Sequence, residues 1–332
     1  MLDSKKVKQI AKSLGADLVG IASMDRFEGA PPQMDPRFIM PRAKSMVVFA
    51  FRIYRGSLRG IEEGTHMSNY PSMGYGGINN IYMPIFVMNF SRIFEDEGYE
   101  CIPFGYHDYW RPIDAYHGPE SYRGGKPLSR PVAPGKPAPD VMPHMRIAAY
   151  LAGLGEIGYS NVFLTPEFGP RQRLGMVMTE MELEPDPIYE GPPLCNRCMA
   201  CVRDCPGDAI SATETVKVNL AGHTVEMGKL DSDACAMAFR GAEKCKPGEW
   251  GTYIEGSNEY KPSPITPYYK KPHNIYMHGE AICGGRGCLR ACMINLEARG
   301  AIRNQFKYPF RTQKPWTVDW SDYDPTDDRV RA

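Results

Sequence analysis

Four cysteines and a proline in the run Cys195-x2-Cys198-x2-Cys201-x3-Cys205-Pro206 (CNRCMACVRDCP) are the residues of this chain best suited to chemistry. Thiolates at this spacing wrap a 4Fe–4S cube: three curl round one cluster face, and the fourth ligates a second cluster elsewhere. Structural zinc or a disulfide knot is the competing use of such cysteines. The run implies a partner segment, and Cys283-x4-Cys288-x3-Cys292 supplies one, with Cys235 and Cys245 between the two. By the crossed pattern, a first cluster takes Cys195, Cys198, Cys201 and Cys292. A second takes Cys205, Cys283, Cys288 and one more. Cys235, in the helix-like stretch LDSDACAMAF, is the favoured fourth ligand, which leaves Cys245 a spare thiol at the head of a long loop. The downstream run departs from the bacterial pattern twice, in its first gap of four residues and in Met293 where proline usually follows.

These thiols need elements to hold them. The first 15 residues read as an amphipathic helix, with Val7, Ile10, Ala11 and Leu14 on one face and Gly15 ending it. ADLVGIAS and SMVVFAFRI read as strands, residues 79–97 as a long helix, and CIPFG as another strand. Helix and strand alternate, which makes the N-terminal part α/β. Residues 105–140 and 246–280 are long irregular stretches rich in Tyr, Pro and Gly, the kind of loop that is usually functional. A helix near 142–151 leads into AGLGEIGYSN, a glycine-rich turn, then a strand, a tight turn at Phe168-Gly169-Pro170 and a long strand. A hairpin (VKVNL, AGH, TVEMG) separates the first cysteine run from Cys235. The domains expected are 1–190, 191–300 with a loop insertion at 246–280, and an aromatic tail at 301–332 packing back on the body.

At 332 residues the chain can bury a substantial core. Its net charge of zero argues against a dominant nucleic-acid surface. The opening MLDSKKVKQIAKSLG has no apolar signal core and no twin-arginine signal, and no stretch approaches a membrane span. The expectation is a cytoplasmic protein whose cysteines are reserved for metal in a reducing, anaerobic setting.

AGLGEIGYSN followed by LTPEFGPRQRLGMVMTEMELEPD resembles the corrinoid segment of reductive dehalogenases, in which a GLGE turn precedes a TPxxGPR strand entry. The opening VKQIAKSLGADLVGIAS and the cysteine run are similar to those of epoxyqueuosine reductases. The resemblance spans nearly the whole chain, except residues 105–140 and 246–280, and leans to the dehalogenases. It implies a nitroreductase-like α/β domain holding cobalamin, fused to a ferredoxin-like domain with two 4Fe–4S clusters. The activity implied is a reductase that cleaves a carbon–halogen or C–O bond of a small organic substrate through Co(I). Its electrons would come from a low-potential donor such as ferredoxin or flavodoxin, with self-association into a homodimer left open. An epoxyqueuosine reductase-like enzyme acting on tRNA and a corrinoid-free electron carrier are the competing functions, and a flavin in place of the corrinoid is a further one.

The resemblance also implies site residues. Gly153, Leu154, Gly155, Gly158, Ser160 and Asn161 would approach the corrinoid. The epoxyqueuosine reductases use an Asp ahead of the helix before the glycine turn, which points to Asp140 as proton donor; helix capping is its duller role. Reductive dehalogenases use a Tyr supported by a basic residue. Tyr106, Tyr109, Tyr116 and Tyr122 are available, and Tyr159 in the turn is the best placed. Arg171 beside the turn is a candidate support for an anionic donor or a propionate-like group, with a surface salt bridge as its duller role. His107 and His144 are further candidate contacts.

Overall fold

The computed structural model describes residues 2–105, 131–137, 141–248, 259–263 and 280–314. Helix α1 (Ser4–Ser13) starts at Asp3, whose carboxylate accepts the Lys6 N–H, and buries Val7 and Ala11. Strands β1 (Leu18–Ser23) and β2 (Ser45–Arg52) follow, then α2 (Arg59–Glu63), a π-helix (Tyr70–Tyr82) that runs directly into α3 (Met83–Glu95), and β3 (Cys101–Phe104). Beyond the next loop come α4 (Met145–Leu151), a small hairpin of β4 (Glu156–Ile157) and β5 (Phe163–Leu164), and the long strand β6 (Gln172–Thr179). The main sheet has the order β1-β2-β6-β3, and every neighbouring pair is antiparallel. The fold is thus mixed α/β, and its helix–strand alternation is realised without parallel crossovers.

Seven of the eight residues of β2 are buried, so this strand is covered on both faces. Its side chains alternate: Val47, Phe49 and Phe51 enter one core with α1 and α3, while Met46 and Val48 enter another with α4. In the first core Phe49 meets Phe86 and Phe90 edge-on, with ring centroids 4.9 and 4.8 Å apart. Phe90 is fully buried, so Phe90→Ala should cost about 3–5 kcal/mol, read as a lowered midpoint in a denaturant melt.

The cysteine-bearing part comprises α5 (Ala200–Arg203), a hairpin of β7 (Ile210–Leu220) and β8 (His223–Leu230), α6 (Ser232–Phe239), the short pair β9 (Ala242–Lys244) and β10 (Tyr260–Pro262), α7 (Ile282–Arg286) and α8 (Cys288–Ala298). The hairpin turns at Ala221-Gly222, both at positive φ as a tight two-residue turn requires. Ile282, Leu289, Met293 and Leu296 share one core with Phe49 and Phe90, so the regions divided at residue 190 are packed together without a break. Residues 301–314 lie on this body: Phe310 is buried, the Arg55 guanidinium stands 3.7 Å from its ring centroid, and Arg290 donates to the Gln313 carbonyl at 2.9 Å. The rest of the expected tail, 315–332, lies outside the described residues. Among the described residues no helix is long and apolar enough to cross a membrane.

Candidate metal centre

Between the first cysteines the chain is wound unusually tightly. Arg197 and Met199, neither of them glycine, adopt φ of 52° and 60°, and Ala281, two residues before Cys283, adopts 64°. Such conformations cost energy and persist where the surroundings demand them. Here they fall between Cys195 and Cys201 and two residues before Cys283.

The mutual electrostatics of the thiols sort them into two quartets. Burial drives the Cys292 thiol well above its ordinary value, and the nearby Cys195, Cys201 and Cys198 thiols push it further. Cys201 is pushed up to about 11 by burial, again with Cys195 and Cys198 beside it. Cys283 is driven well up by burial and by Cys235, Cys288 and Cys205, and Cys288 to about 12 by burial, Cys205 and Cys235. Cys201 also acts on Cys288, and Cys288 on Cys292, so the quartets are neighbours. Cys245 enters neither set; its backbone N–H bonds the Glu259 carbonyl at 2.8 Å. Cys201 and Cys292 in one set, and Cys283 and Cys288 in the other, resist ionisation, and crowded thiols of this kind are suited to a polycationic core. Among the described residues, no three His, Cys, Asp or Glu side chains close round a single metal ion.

Against three thiols of the second quartet lies an open cleft with a cavity volume of ≈ 180 Å³. Cys235, Cys283 and Cys288 line it together with Tyr70, Tyr75, Asn79 and Arg173. Arg173 Nη2 donates to the Tyr70 hydroxyl at 2.7 Å, its Nε donates to the Gly74 carbonyl at 3.1 Å, and its guanidinium lies 4.5 Å from the Tyr75 ring centroid. Burial raises the Tyr70 pKa, while Arg173 opposes the rise. Asn79 is buried, and its Nδ2 has no hydrogen-bond partner among the described residues.

The π-helix explains how these side chains meet. Its i→i+5 bonding stacks residues about five apart, and such turns are frequent at functional sites. Wound as an α-helix, Tyr75 would be swung about 140° from Tyr70. The residues expected to form one α-helix from 79 to 97 are therefore the end of a π-helix and α3, and the site-forming face begins nine residues earlier, at Tyr70.

No family model matches the chain. A tetrachloroethene reductive dehalogenase of Desulfitobacterium hafniense is 43% identical over 72 residues, covering 21% of this chain and 13% of that protein. An epoxyqueuosine reductase of Synechococcus sp. (strain CC9605) is 39% identical over 77 residues, 23% of each chain. Over these segments the chain is similar to both reductive dehalogenases and epoxyqueuosine reductases. It spans less than a quarter of the length of these two curated relatives. Among solved structures, a catabolic reductive dehalogenase aligns with a TM-score of 0.49 and 20% identity, over 71% of this chain and 29% of that one.

Several residues that the superfamily resemblance nominated stand elsewhere in the structure. Gly153, Leu154, Gly155, Gly158, Ser160 and Asn161 do not line the cleft. A Cβ added at Gly153 (φ 74°) would lie 2.0 Å from the Pro187 carbonyl oxygen, and one at Gly155 equally close to that of Leu164. These glycines admit the chain's own backbone. Gly153→Ala should accordingly lower stability by more than about 1 kcal/mol in a thermal melt, without changing the metal content of the folded protein. The Tyr159 hydroxyl donates to the Ser211 carbonyl at 2.9 Å, away from the cleft. Arg171 is 1% exposed, pushed down to about 10 by burial, and donates at 2.6 Å both to the Ile53 carbonyl and to Asn304 Oδ1. It ties the sheet to the C-terminal segment. His144 does line the cleft. Asp140, Tyr106, Tyr109, Tyr116, Tyr122 and His107 lie outside the described residues.

Proposed function

We propose that this chain is an oxidoreductase of the reductive dehalogenase type, using two 4Fe–4S clusters and a corrinoid to cleave a carbon–halogen or C–O bond in a small organic substrate. The observation that carries this reading is the cleft in which the thiols of one quartet and the Tyr70–Arg173 pair face the same space. In this reading Cys195, Cys198, Cys201 and Cys292 hold one cluster, and Cys205, Cys235, Cys283 and Cys288 the other, within a ferredoxin-like region at 191–300. Residues 1–190 form the nitroreductase-like region, and the protein works in the cytoplasm with a ferredoxin or flavodoxin as donor.

The residues present suit both groups. The quartets offer soft, crowded thiolate donors. The cleft offers the unpartnered Asn79 amide, Tyr70 and Arg173 as polar contacts for a corrinoid. When bound, the clusters supply single electrons and the corrinoid a reducing cobalt centre. The chain's own part is to hold a proton on the Tyr70 hydroxyl, to orient that hydroxyl through Arg173 Nη2, and to exclude water with the apolar walls of the cleft. Arg173 stabilises the tyrosinate left after the proton has gone.

The deciding experiment is metal analysis of anaerobically purified protein reconstituted with iron, sulfide and cobalamin. About eight irons and one cobalt per chain support the reading and justify a screen of organohalides. A full iron complement with no cobalt and no corrinoid bands overturns it in favour of an electron carrier, or of a flavin enzyme if a flavin spectrum appears. The match to an epoxyqueuosine reductase supports a second reading, a tRNA-directed reductase; the chain's zero net charge tells against it, and turnover of epoxyqueuosine-containing tRNA would establish it.

A further inference from the structure

The β4–β5 hairpin directs its polar groups at the first cysteine of the run. Glu156 Oε1 accepts the Cys195 N–H at 2.5 Å. Three residues on, the backbone N–H of Tyr159 donates to Cys195 Sγ at 3.3 Å. The turn that carries this N–H is held on every side. Gly158 N–H bonds the Val162 carbonyl and Asn161 N–H the Gly158 carbonyl, both at 2.9 Å, with Asn161 at φ 64°. The Asn161 amide donates to the Gly228 carbonyl at 2.8 Å, and the Gly228 N–H returns a bond to the Tyr159 carbonyl at 2.9 Å. On the far side of the cysteine loop, Arg299 Nη2 donates to the Leu194 carbonyl at 2.5 Å.

We propose that the turn from Glu156 to Tyr159 is a clamp on Cys195 that tunes the first cluster, with Glu156 as its positioning residue. The proposal rests on the reading of Cys195 as a cluster ligand. Hydrogen bonds to cluster sulfurs are among the factors that set the potential. A donor stabilises the reduced cluster most, because that state carries the greater negative charge, so the Tyr159 N–H raises the potential. Glu156 holds the loop where this bond can form. The charge of a carboxylate so close to the cluster, taken alone, acts in the opposite direction and lowers the potential. The two roles therefore predict opposite signs when the side chain is removed.

The test compares the full chain with Glu156→Ala and Glu156→Gln, each reconstituted anaerobically with iron and sulfide and titrated potentiometrically by electron paramagnetic resonance. The expected result is that Glu156→Ala lowers the potential of one cluster and leaves the other unmoved. Glu156→Gln, whose amide oxygen still accepts the Cys195 N–H, should stay at or above the wild-type value. If the alanine variant takes up a single cluster, the missing one should be the cluster also lost in Cys292→Ser; loss of the other overturns the clamp. The clamp is equally overturned if both variants raise the potential, or if Glu156→Ala moves neither potential. If the alanine variant does not fold, the glutamine variant decides, since a fall in its potential overturns the clamp. Wild-type protein that takes up no iron overturns the cluster assignment itself, whereas the other outcomes bear on the clamp alone.

Discussion

Cys292→Ser should halve the iron that the reconstituted chain takes up, and Cys283→Ser should do the same while removing the other cluster. The expectation follows from the two quartets: Cys292 interacts most with Cys195, Cys201 and Cys198, and Cys283 with Cys235, Cys288 and Cys205. A serine hydroxyl is a far poorer ligand than a thiolate for soft iron–sulfur cores. Iron and acid-labile sulfide per chain, with the paramagnetic spectrum of the cluster that remains, would read the effect. The spectra of the two variants should be complementary, together summing to the wild type. Cys235→Ser should copy Cys283→Ser, whereas Cys245→Ser should leave both clusters in place, because Cys245 sits outside both sets beside the Glu259 carbonyl. An iron loss in Cys245→Ser with none in Cys235→Ser would overturn the fourth-ligand assignment. The consequences for turnover should also differ in kind. Cys235, Cys283 and Cys288 line the cleft, so in the proposed function losing their cluster should stop turnover by removing the carrier next to the substrate.

Why some of this could be read from the chain and some could not has a physical basis. The cysteine run is a local signal, since three thiols two residues apart need no knowledge of the rest of the fold to form one face of a cluster site. Cys235 is favoured over Cys245 for its helix-like stretch LDSDACAMAF; the structure forms a helix there and sets Cys235 near Cys283 and Cys288. The glycine turn carried a true signal with an ambiguous object. Gly153 and Gly155 announce a close approach, but nothing in the sequence says whether a cofactor or the chain's own Pro187 and Leu164 carbonyls come near. Tyr70 gave no signal under a helical period of 3.6, which scatters Tyr70, Tyr75 and Asn79 around the axis; the wider π-helical turn gathers them. Arg171, near the FGPR turn, and Arg173 stand two residues apart. Both flank Gln172 at the start of β6, yet Arg171 reaches the C-terminal segment and Arg173 the π-helix.

Tyr70→Phe should reduce turnover by about 10²- to 10⁴-fold, the usual worth of a positioned general acid, with little change in KM. Phenylalanine keeps the ring and its packing and removes only the hydroxyl that Arg173 holds at 2.7 Å, so folding and both clusters should survive. The pH profile supplies an independent check. Burial raises the Tyr70 pKa above the ordinary tyrosine value of about 10, so the donor stays protonated through the neutral range and turnover should be level there. Activity should decline only as pH climbs through the raised value, where the proton is lost before the substrate can take it. Replacing Arg173 by glutamine has a defined sign as well. The guanidinium lowers the Tyr70 pKa by favouring the anion; without it the hydroxyl becomes a weaker acid, the alkaline limb moves to still higher pH, and the maximal rate falls. A Tyr70→Phe variant that loads both clusters and the corrinoid and still turns over at the wild-type rate would remove Tyr70 from the chemistry. The proton would then have to come from another group at the cleft, of which His144 is the titratable one that the sequence had already put forward.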